Sequence, residues 1–231
     1  MSKKQNVKQT DKNLEGIEQA LTRSEQFIED NQKMLTTVLT VILLLVAVVI
    51  AANRFYLKPK NQKAASDMYY AERFFEIDSF HLALNGYGTY PGFLHIMEDY
   101  GMTKASRLSH YYAGVCYHQL GDQESAIHHL EKFKTDDLLV GSAKYSTLGD
   151  AFVEQGNLEK AAASYRSGID KYPNNFSTPI LLKKLGILYE EMGKLNEALK
   201  AYQDIEQQYP ETSEGREIAK YIGRVESKIS N

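Results

Sequence analysis

Six histidines, one cysteine and a few adjacent carboxylates are the side chains with chemistry to offer in this 231-residue chain. His128 and His129 are neighbours, so on a helix they point about 100° apart and are badly placed to clasp one metal ion. Cys116 and His118, two apart, also diverge; a nucleophilic pair needs hydrogen-bond reach, and Cys116 reads as a buried structural thiol. Glu190-Glu191 reads as solvated charge and Asp136-Asp137 as a loop rather than acid–base pairs. No glycine-rich phosphate cradle occurs, and Asn175-Phe176-Ser177 is a three-residue glycosylation sequon too short to carry weight. One cysteine allows neither an intramolecular disulfide nor a multi-cysteine zinc site. The expectation is no enzyme, no metal and no cofactor.

The spacing of small and aromatic residues is more informative. Tyr145, Leu148-Gly149, Phe152, Ala161, Tyr165 and Pro173 recur as Leu182, Leu185-Gly186, Tyr189, Ala198, Tyr202 and Pro210. A third copy reads His110, Ala113-Gly114, Tyr117, Ala126, Leu130, and a degenerate fourth reads Asp67, Tyr70-Ala71, Phe74, Ala83, Tyr87. Both complete copies follow the tetratricopeptide pattern W-x2-L-G-x2-Y…A-x3-F…P, with Tyr or Leu in place of the first Trp. The fold expected is all-α: a tetratricopeptide-repeat solenoid of about four helix pairs plus a C-terminal capping helix over 213–229. In each pair a small residue on helix A (Ala71, Gly114, Gly149, Gly186) is expected to admit the recurring alanine on helix B (Ala83, Ala126, Ala161, Ala198). The aromatics would fill the space between units. Gly121, Gly156 and Gly193 would cap helix A, and Pro173 and Pro210 would stop helix B. Gly86, Gly88, Pro91 and Gly92 would break the first helix B, with a short helix restarting at Phe93–Met97.

Such arrays present helix A side chains along a concave groove suited to an extended or helical peptide. From the repeat register the groove positions are Met68, Glu72 and Phe75; Tyr111, Val115 and His118; Ser146, Asp150 and Val153; and Lys183, Ile187 and Glu190. They describe an apolar-aromatic groove with acidic edges. The Lys/Asn pattern with which chaperone-tail-binding relatives hold a terminal carboxylate is missing.

A second segment decides where such a groove would operate. Residues 34–53 contain no charged side chain, although a quarter of the chain is Asp, Glu, Lys or Arg. At about 1.5 Å per residue this run covers about 30 Å, the hydrocarbon thickness of a bilayer. Lys33 closes one end and Arg54, Phe55 and Tyr56 the other, as interfacial anchors do. It is too long and too late for a cleaved signal and reads as an uncleaved anchor. The domains expected are a 1–33 tail, a 34–53 transmembrane helix, a 54–63 basic hinge broken at Pro59, and a 64–231 repeat domain. In the tail, 1–13 reads as disordered, and Leu14, Ile17, Leu21 and Ile28 form a short amphipathic helical stripe. Residues 64–231 hold 17 Lys/Arg against 24 Asp/Glu, a net of −7, so no nucleic-acid partner is expected. Orientation is left open by the flanking charges. Arg54, Lys58, Lys60 and Lys63 outnumber Arg23 and Lys33 near the span, but the whole tail carries six cations.

The order of parts resembles the YfgM-like family of single-span bacterial inner-membrane proteins. The likeness runs through Phe27–Lys33 before the span, Gly92-Phe93, Tyr100–Ala105, Gly149-Asp150-Ala151 and Tyr209–Ser213, which look like Bacteroidetes-type members. The resemblance implies an inner-membrane anchor with the repeat domain in the periplasm. It further implies protein partners: translocon subunits, periplasmic chaperones or newly exported clients. A structural scaffold in a cell-envelope complex is the alternative, and homo-oligomerisation through the last helix stays open.

Overall fold

The structure is a computed structural model that describes Phe27 and residues 29–230. The expected disordered stretch 1–13 and the stripe from Leu14 lie outside the described residues. The chain separates into two units, up to Pro59 and from Lys60 onward.

In the first unit, helix α1 (Gln32–Ala51) holds the uncharged run, and none of its residues is buried. It is long and apolar enough to cross a membrane. Its threonines suit such surroundings: the Thr36, Thr37 and Thr40 hydroxyls donate to the carbonyls of Gln32, Lys33 and Thr36 at 2.7–2.8 Å, so no hydroxyl is left unsatisfied. Residues 54–63 are not a broken hinge. A π-helical turn covers Ala52–Leu57, and helix α2 begins at Lys58 and continues to Glu76. Pro59 lies inside one unbroken helical run, Gln32–Glu76, directly after the π-helical turn, whose altered hydrogen-bond ladder accommodates a residue without an N–H. The wider π-helical turn precedes it, with Lys58 N–H donating to Asn53 O.

In the second unit, α2 and the short helix α3 (Phe80–Asn85) contribute to one apolar cluster. As the glycines foretell, α3 stops at Gly86. A two-residue antiparallel hairpin follows, β1 (Gly86–Tyr87) with β2 (Tyr90–Pro91), and then helix α4 (Phe93–Asp99). Gly86 has φ +82°, and Gly92 lies against the backbone of Leu84 and Gly86, so neither position accepts a side chain. The regular pairs are α5 (Lys104–Gln119) with α6 (Gln123–Lys132), α7 (Leu138–Glu154) with α8 (Leu158–Lys171), and α9 (Thr178–Glu191) with α10 (Leu195–Gln208). Gly121, Gly156 and Gly193, at φ +84°, +72° and +71°, end the three A helices. At the first of these, Asp122 N–H donates to Tyr117 O at 2.9 Å and Gly121 N–H to His118 O at 3.1 Å, the double closure that satisfies orphan carbonyls.

Packing within a pair corrects one expectation. The recurring alanines 83, 126, 161 and 198 are all fully buried. What fills the space above the helix A glycine is the residue four further along helix B. A Cβ on Gly149 would run into the Tyr165 ring, on Gly186 into the Tyr202 ring, and on Gly114 to 2.5 Å from Leu130 Cγ. The aromatics therefore close their own pair. Burying a whole ring of this kind contributes about 2–3 kcal/mol, and Tyr202 is completely covered.

Each of these tyrosines also keeps its hydroxyl on a carboxylate. Tyr165 OH donates to Asp150 Oδ1 at 2.7 Å and Tyr202 OH to Glu190 Oε1 at 2.8 Å. The next repeat then supplies a cation: Lys184 Nζ lies 2.6 Å from Asp150, and Arg224 and Lys228 lie 2.5 and 2.9 Å from Glu190. A tyrosine–carboxylate–cation relay thus joins successive repeats. At the degenerate end, Tyr100 OH donates to Asp67 Oδ2 at 2.5 Å, which gives Asp67 a role its position in the repeat pattern did not suggest.

The C-terminal cap is two helices rather than one: α11 (Ser213–Glu217) and α12 (Ala219–Ser230), interrupted at the buried Ile218. Gly223 is in register with Gly186, yet nothing lies within 4 Å of the Cβ it lacks. Exposed Glu226 stands at the position held by buried Phe152 and Tyr189 in the preceding repeats. A charge where the array would otherwise continue is how a solenoid end is made soluble.

Candidate functional site

Three local devices build one groove across the A helices. Thr103 caps α5, accepting from Ser106 N–H at 3.1 Å. Asp137 caps α7, its Oδ1 accepting from Leu139 and Val140 N–H at 2.9 Å each. Asn174 Oδ1 accepts from Phe176 N–H at 3.0 Å and Ser177 N–H at 2.7 Å before α9. Caps of this kind fix how the chain enters a helix. The result is that Leu139 is 54% exposed and Phe176 72% exposed, both beside the same opening.

That opening is a cavity of about 390 Å3 lined by Tyr111, Leu139, Val140, Ala143, Phe176 and Ile180, with Ser142, Ser146, Thr147, Ser177 and Leu181 completing the walls. Its volume lies within the range of pockets that seat a small ligand or a large side chain. The polar groups on the wall are hydroxyls. Ser146 accepts from Lys184 at 2.9 Å and Thr147 donates to Ala143 O at 3.1 Å. The buried Ser142 hydroxyl has no hydrogen-bond partner among the described residues. Burial raises the pKa of Tyr111, so it stays a neutral phenol.

Beside this cavity, and sharing Val140 with it, is a second of about 390 Å3. Its lining includes Lys104, Arg107 and Leu108 from one face of α5, and Lys134, Asp136 and Asp137 from the α6–α7 connection. Lys104, Arg107 and Lys134 are exposed and take part in no ion pair among the described residues.

The positions derived from the repeat register are only partly brought together here. Tyr111 and Ser146 line the groove. Met68 does not: it is 3% exposed and packs inside, its sulfur accepting from the Ser109 hydroxyl at 3.8 Å. Phe75 is half-buried against the rings of Phe80, Phe93 and Tyr112. Glu72 is half-buried, and burial first and Glu76 second raise its carboxyl against a hydrogen bond with Tyr112. Val115 and Val153 are half-buried and His118 pairs with Gln123 at 2.8 Å. Asp150 and Glu190 are occupied by the inter-repeat relay, so they are joints rather than acidic edges. Burial by itself would raise the Glu190 carboxyl, but hydrogen bonds from Arg224, Lys228 and Tyr202 hold it at about 2. Lys183 lies 3.8 Å from Glu217 and over the Tyr221 ring. Ile187 is 44% exposed and outside the cavity.

The groove therefore sits one to two turns nearer the helix N-termini than the register suggested. On α7 its floor is 139, 143 and 146–147, because Lys184 crosses from α9 and closes the end at Asp150. Leu138-Leu139-Val140, an apolar triplet directly after two aspartates, was the available signal for it.

A histidine pair was not foreseen either. His110 Nδ1 and His129 Nδ1 are 3.1 Å apart, joining α5 to α6, and Tyr117 stacks on His129 at 5.4 Å. Burial, then His110 and His128, push the His129 imidazole down to about 4. Cys116 is fully buried, and burial pushes its thiol up to about 12. Among the described residues no three His, Cys, Asp or Glu side chains converge to hold a metal ion.

With this geometry in view, two tetratricopeptide-repeat family models match the chain, one at residues 109–137 and 184–212 and the other at 146–177. The matches cover α5 to α10, the three regular pairs. No curated protein matches the chain. Fold and matches agree on an all-α tetratricopeptide-repeat solenoid preceded by a helix of membrane-spanning length, a class whose general business is protein–protein interaction.

Proposed function

We propose that this chain is a membrane-tethered, non-enzymatic binding module whose groove seats an apolar stretch of an extended polypeptide. Its place is the outer side of a bacterial inner membrane, beside the translocon, and its partners are newly exported proteins or the chaperones that handle them. The observation that carries the reading is the 390 Å3 cavity, where Leu139 and Phe176 are held in the open by helix caps instead of being folded away. The uncharged α1 adds the tether. Confinement to a membrane raises the effective concentration of a groove near its clients, so modest contacts suffice.

The test is a photo-crosslinker at Ile180 in native membranes, compared with Phe176→Ser and Leu139→Ser variants. The expected result is many transient adducts with exported polypeptides, reduced severalfold by either substitution. One stoichiometric adduct, insensitive to both, would replace this reading with that of a scaffold subunit. Topology is read separately with Ser2→Cys and Ser230→Cys and a membrane-impermeant maleimide. Native Cys116 stays silent because it is buried and its thiol is held protonated. Labelling of position 230 from outside supports the periplasmic placement, and labelling of position 2 alone overturns it.

A further inference from the structure

The groove continues past its apolar cavity, and the continuation has a different chemistry. Lys104, Arg107 (with Leu108) and Tyr111 lie three to four residues apart and so share one face of α5. Tyr111 lines the apolar cavity, whereas Lys104, Arg107 and Leu108 line the neighbouring one, with Val140 common to both. Lys134 joins the two α5 cations from the α6–α7 connection. The repeat domain carries a net of −7, yet here three cations line one cavity and take part in no ion pair among the described residues. Of the two carboxylates in the same cavity, Asp137 is engaged in capping α7, and exposed Asp136 leaves the three cations in excess. Elsewhere on the helix A surface the domain neutralises its lysines: Lys183 meets Glu217 and Lys184 meets Asp150. The N-terminus of α5 adds its partial positive charge to the same corner.

We propose that this groove selects extended polypeptide segments in which an acidic side chain stands two to four residues from an apolar one. The apolar residue enters beside Leu139 and Phe176, and the carboxylate lies over Lys104, Arg107 and Lys134. The inference rests on the groove being the binding site and adds what it reads. The two openings adjoin at one residue, and an extended chain advances about 3.3 Å per residue, which sets the spacing. The anion is an internal Asp or Glu rather than a chain terminus. All three cations are on exposed, long side chains, which suits approach from several directions instead of one rigid carboxylate geometry. Exposed pairs are individually weak, so the cations rank segments that the apolar cavity already accepts.

Fluorescence anisotropy on the detergent-solubilised full chain tests this with four labelled peptides, the first three amidated at the C-terminus. These are Gly-Ser-Asp-Asp-Ser-Phe-Leu-Ser-Gly, the same peptide with Lys-Lys or Ser-Ser for Asp-Asp, and the Ser-Ser peptide with a free C-terminal carboxylate. The acidic peptide is expected to bind about fivefold more tightly than the Ser-Ser peptide, and the lysine peptide more weakly than both. In the Lys104→Glu/Arg107→Glu/Lys134→Glu variant, whose three positions are surface-exposed and leave helicity intact, the order reverses. A Phe176→Ser/Ile180→Asp variant loses all four peptides. Equal binding of acidic, neutral and basic peptides by wild type, abolished by the Phe176/Ile180 variant, would overturn the charge selection while leaving the groove. Binding that depends only on the free terminus would overturn the internal carboxylate. Binding of the acidic peptide unaffected by the Phe176/Ile180 variant would overturn the groove itself.

Discussion

Lowering the pH from 7 to 5 should loosen the α5–α6 pair through His110 and His129. Their Nδ1 atoms are 3.1 Å apart, so one ring donates and the other accepts only while at least one is neutral. The charged groups around them offer little help to a second proton. His128 and Lys132 on α6 oppose it, and only Asp122, at the start of the same helix, favours it. Burial is the largest influence on both rings and lowers both pKa values. With the folded His129 at about 4 against an ordinary 6.5, the unfolded chain takes up protons that the folded chain refuses. The stability contribution is therefore complete above about pH 6.5 and is lost as the pH falls towards about 4. Between pH 7 and pH 5 the unscreened loss from His129 is about 2 kcal/mol. Solvent screening of a ring that is only partly covered reduces it to about 1 kcal/mol. Urea unfolding of the detergent-solubilised chain, followed by far-ultraviolet circular dichroism at pH 7, 6 and 5, measures it. His129→Gln should flatten the dependence, because a carboxamide can still meet His110 but does not titrate. Equal losses in wild type and variant would refute the assignment to this pair.

Two further perturbations follow from the packing. Gly149→Ala drives a methyl group into the Tyr165 ring and should cost about 2–3 kcal/mol, whereas Gly223→Ala, in the same register but with open space around it, should be neutral or stabilise by about 0.5–1 kcal/mol. Urea midpoints of the two variants check the contrast, and similar losses in both would mean that the repeat glycines are not spaces for helix B rings. Glu190→Gln weakens the joint between the last full repeat and its cap, whose carboxylate is 8% exposed and holds Arg224, Lys228 and Tyr202. It should cost about 1–2 kcal/mol and speed amide exchange in 219–230 before the rest of the domain. Since the Glu190 carboxyl is held at about 2, the wild-type joint should keep its contribution down to about pH 4.5 and lose it from there towards pH 2.

How the sequence relates to the result differs from residue to residue. Gly121, Gly156 and Gly193, Pro173 and Pro210, and the buried alanines were legible because their constraints are local or recur with the repeat. Pro59 was misleading for a local reason as well: a proline ordinarily breaks or kinks a helix interior, and sequence alone does not show that a π-helical turn precedes it and lets the helix run on. Met68 was placed on the surface by a register that holds for regular pairs. The first pair is irregular, its second helix truncated at Gly86, and in it Met68 turns inward with Ala64 and Ala71 while the rest of α2 stays exposed or half-buried. The candidate groove was half legible. Tyr111 and Ser146 fell out of the repeat numbering, but Phe176 lies in a connection, outside any periodicity, and is displayed only because Asn174 organises the turn beneath it.

The sequence alone determined that the chain is a row of antiparallel helix pairs and that an uncharged run of membrane-spanning length precedes them. Those properties depend on spacing along one strand of polypeptide, 3.6 residues per turn and a repeat of about 37. Tertiary structure decided which polar residues are joints and which are surface. Asp150 and Glu190 are spent between repeats, Lys184 closes one end of the groove, and Lys104, Arg107 and Lys134 form no ion pair among the described residues. The physical reason is that pairing of charge depends on distances of about 3 Å between segments 34 to 38 residues apart, and no periodicity along the chain encodes those.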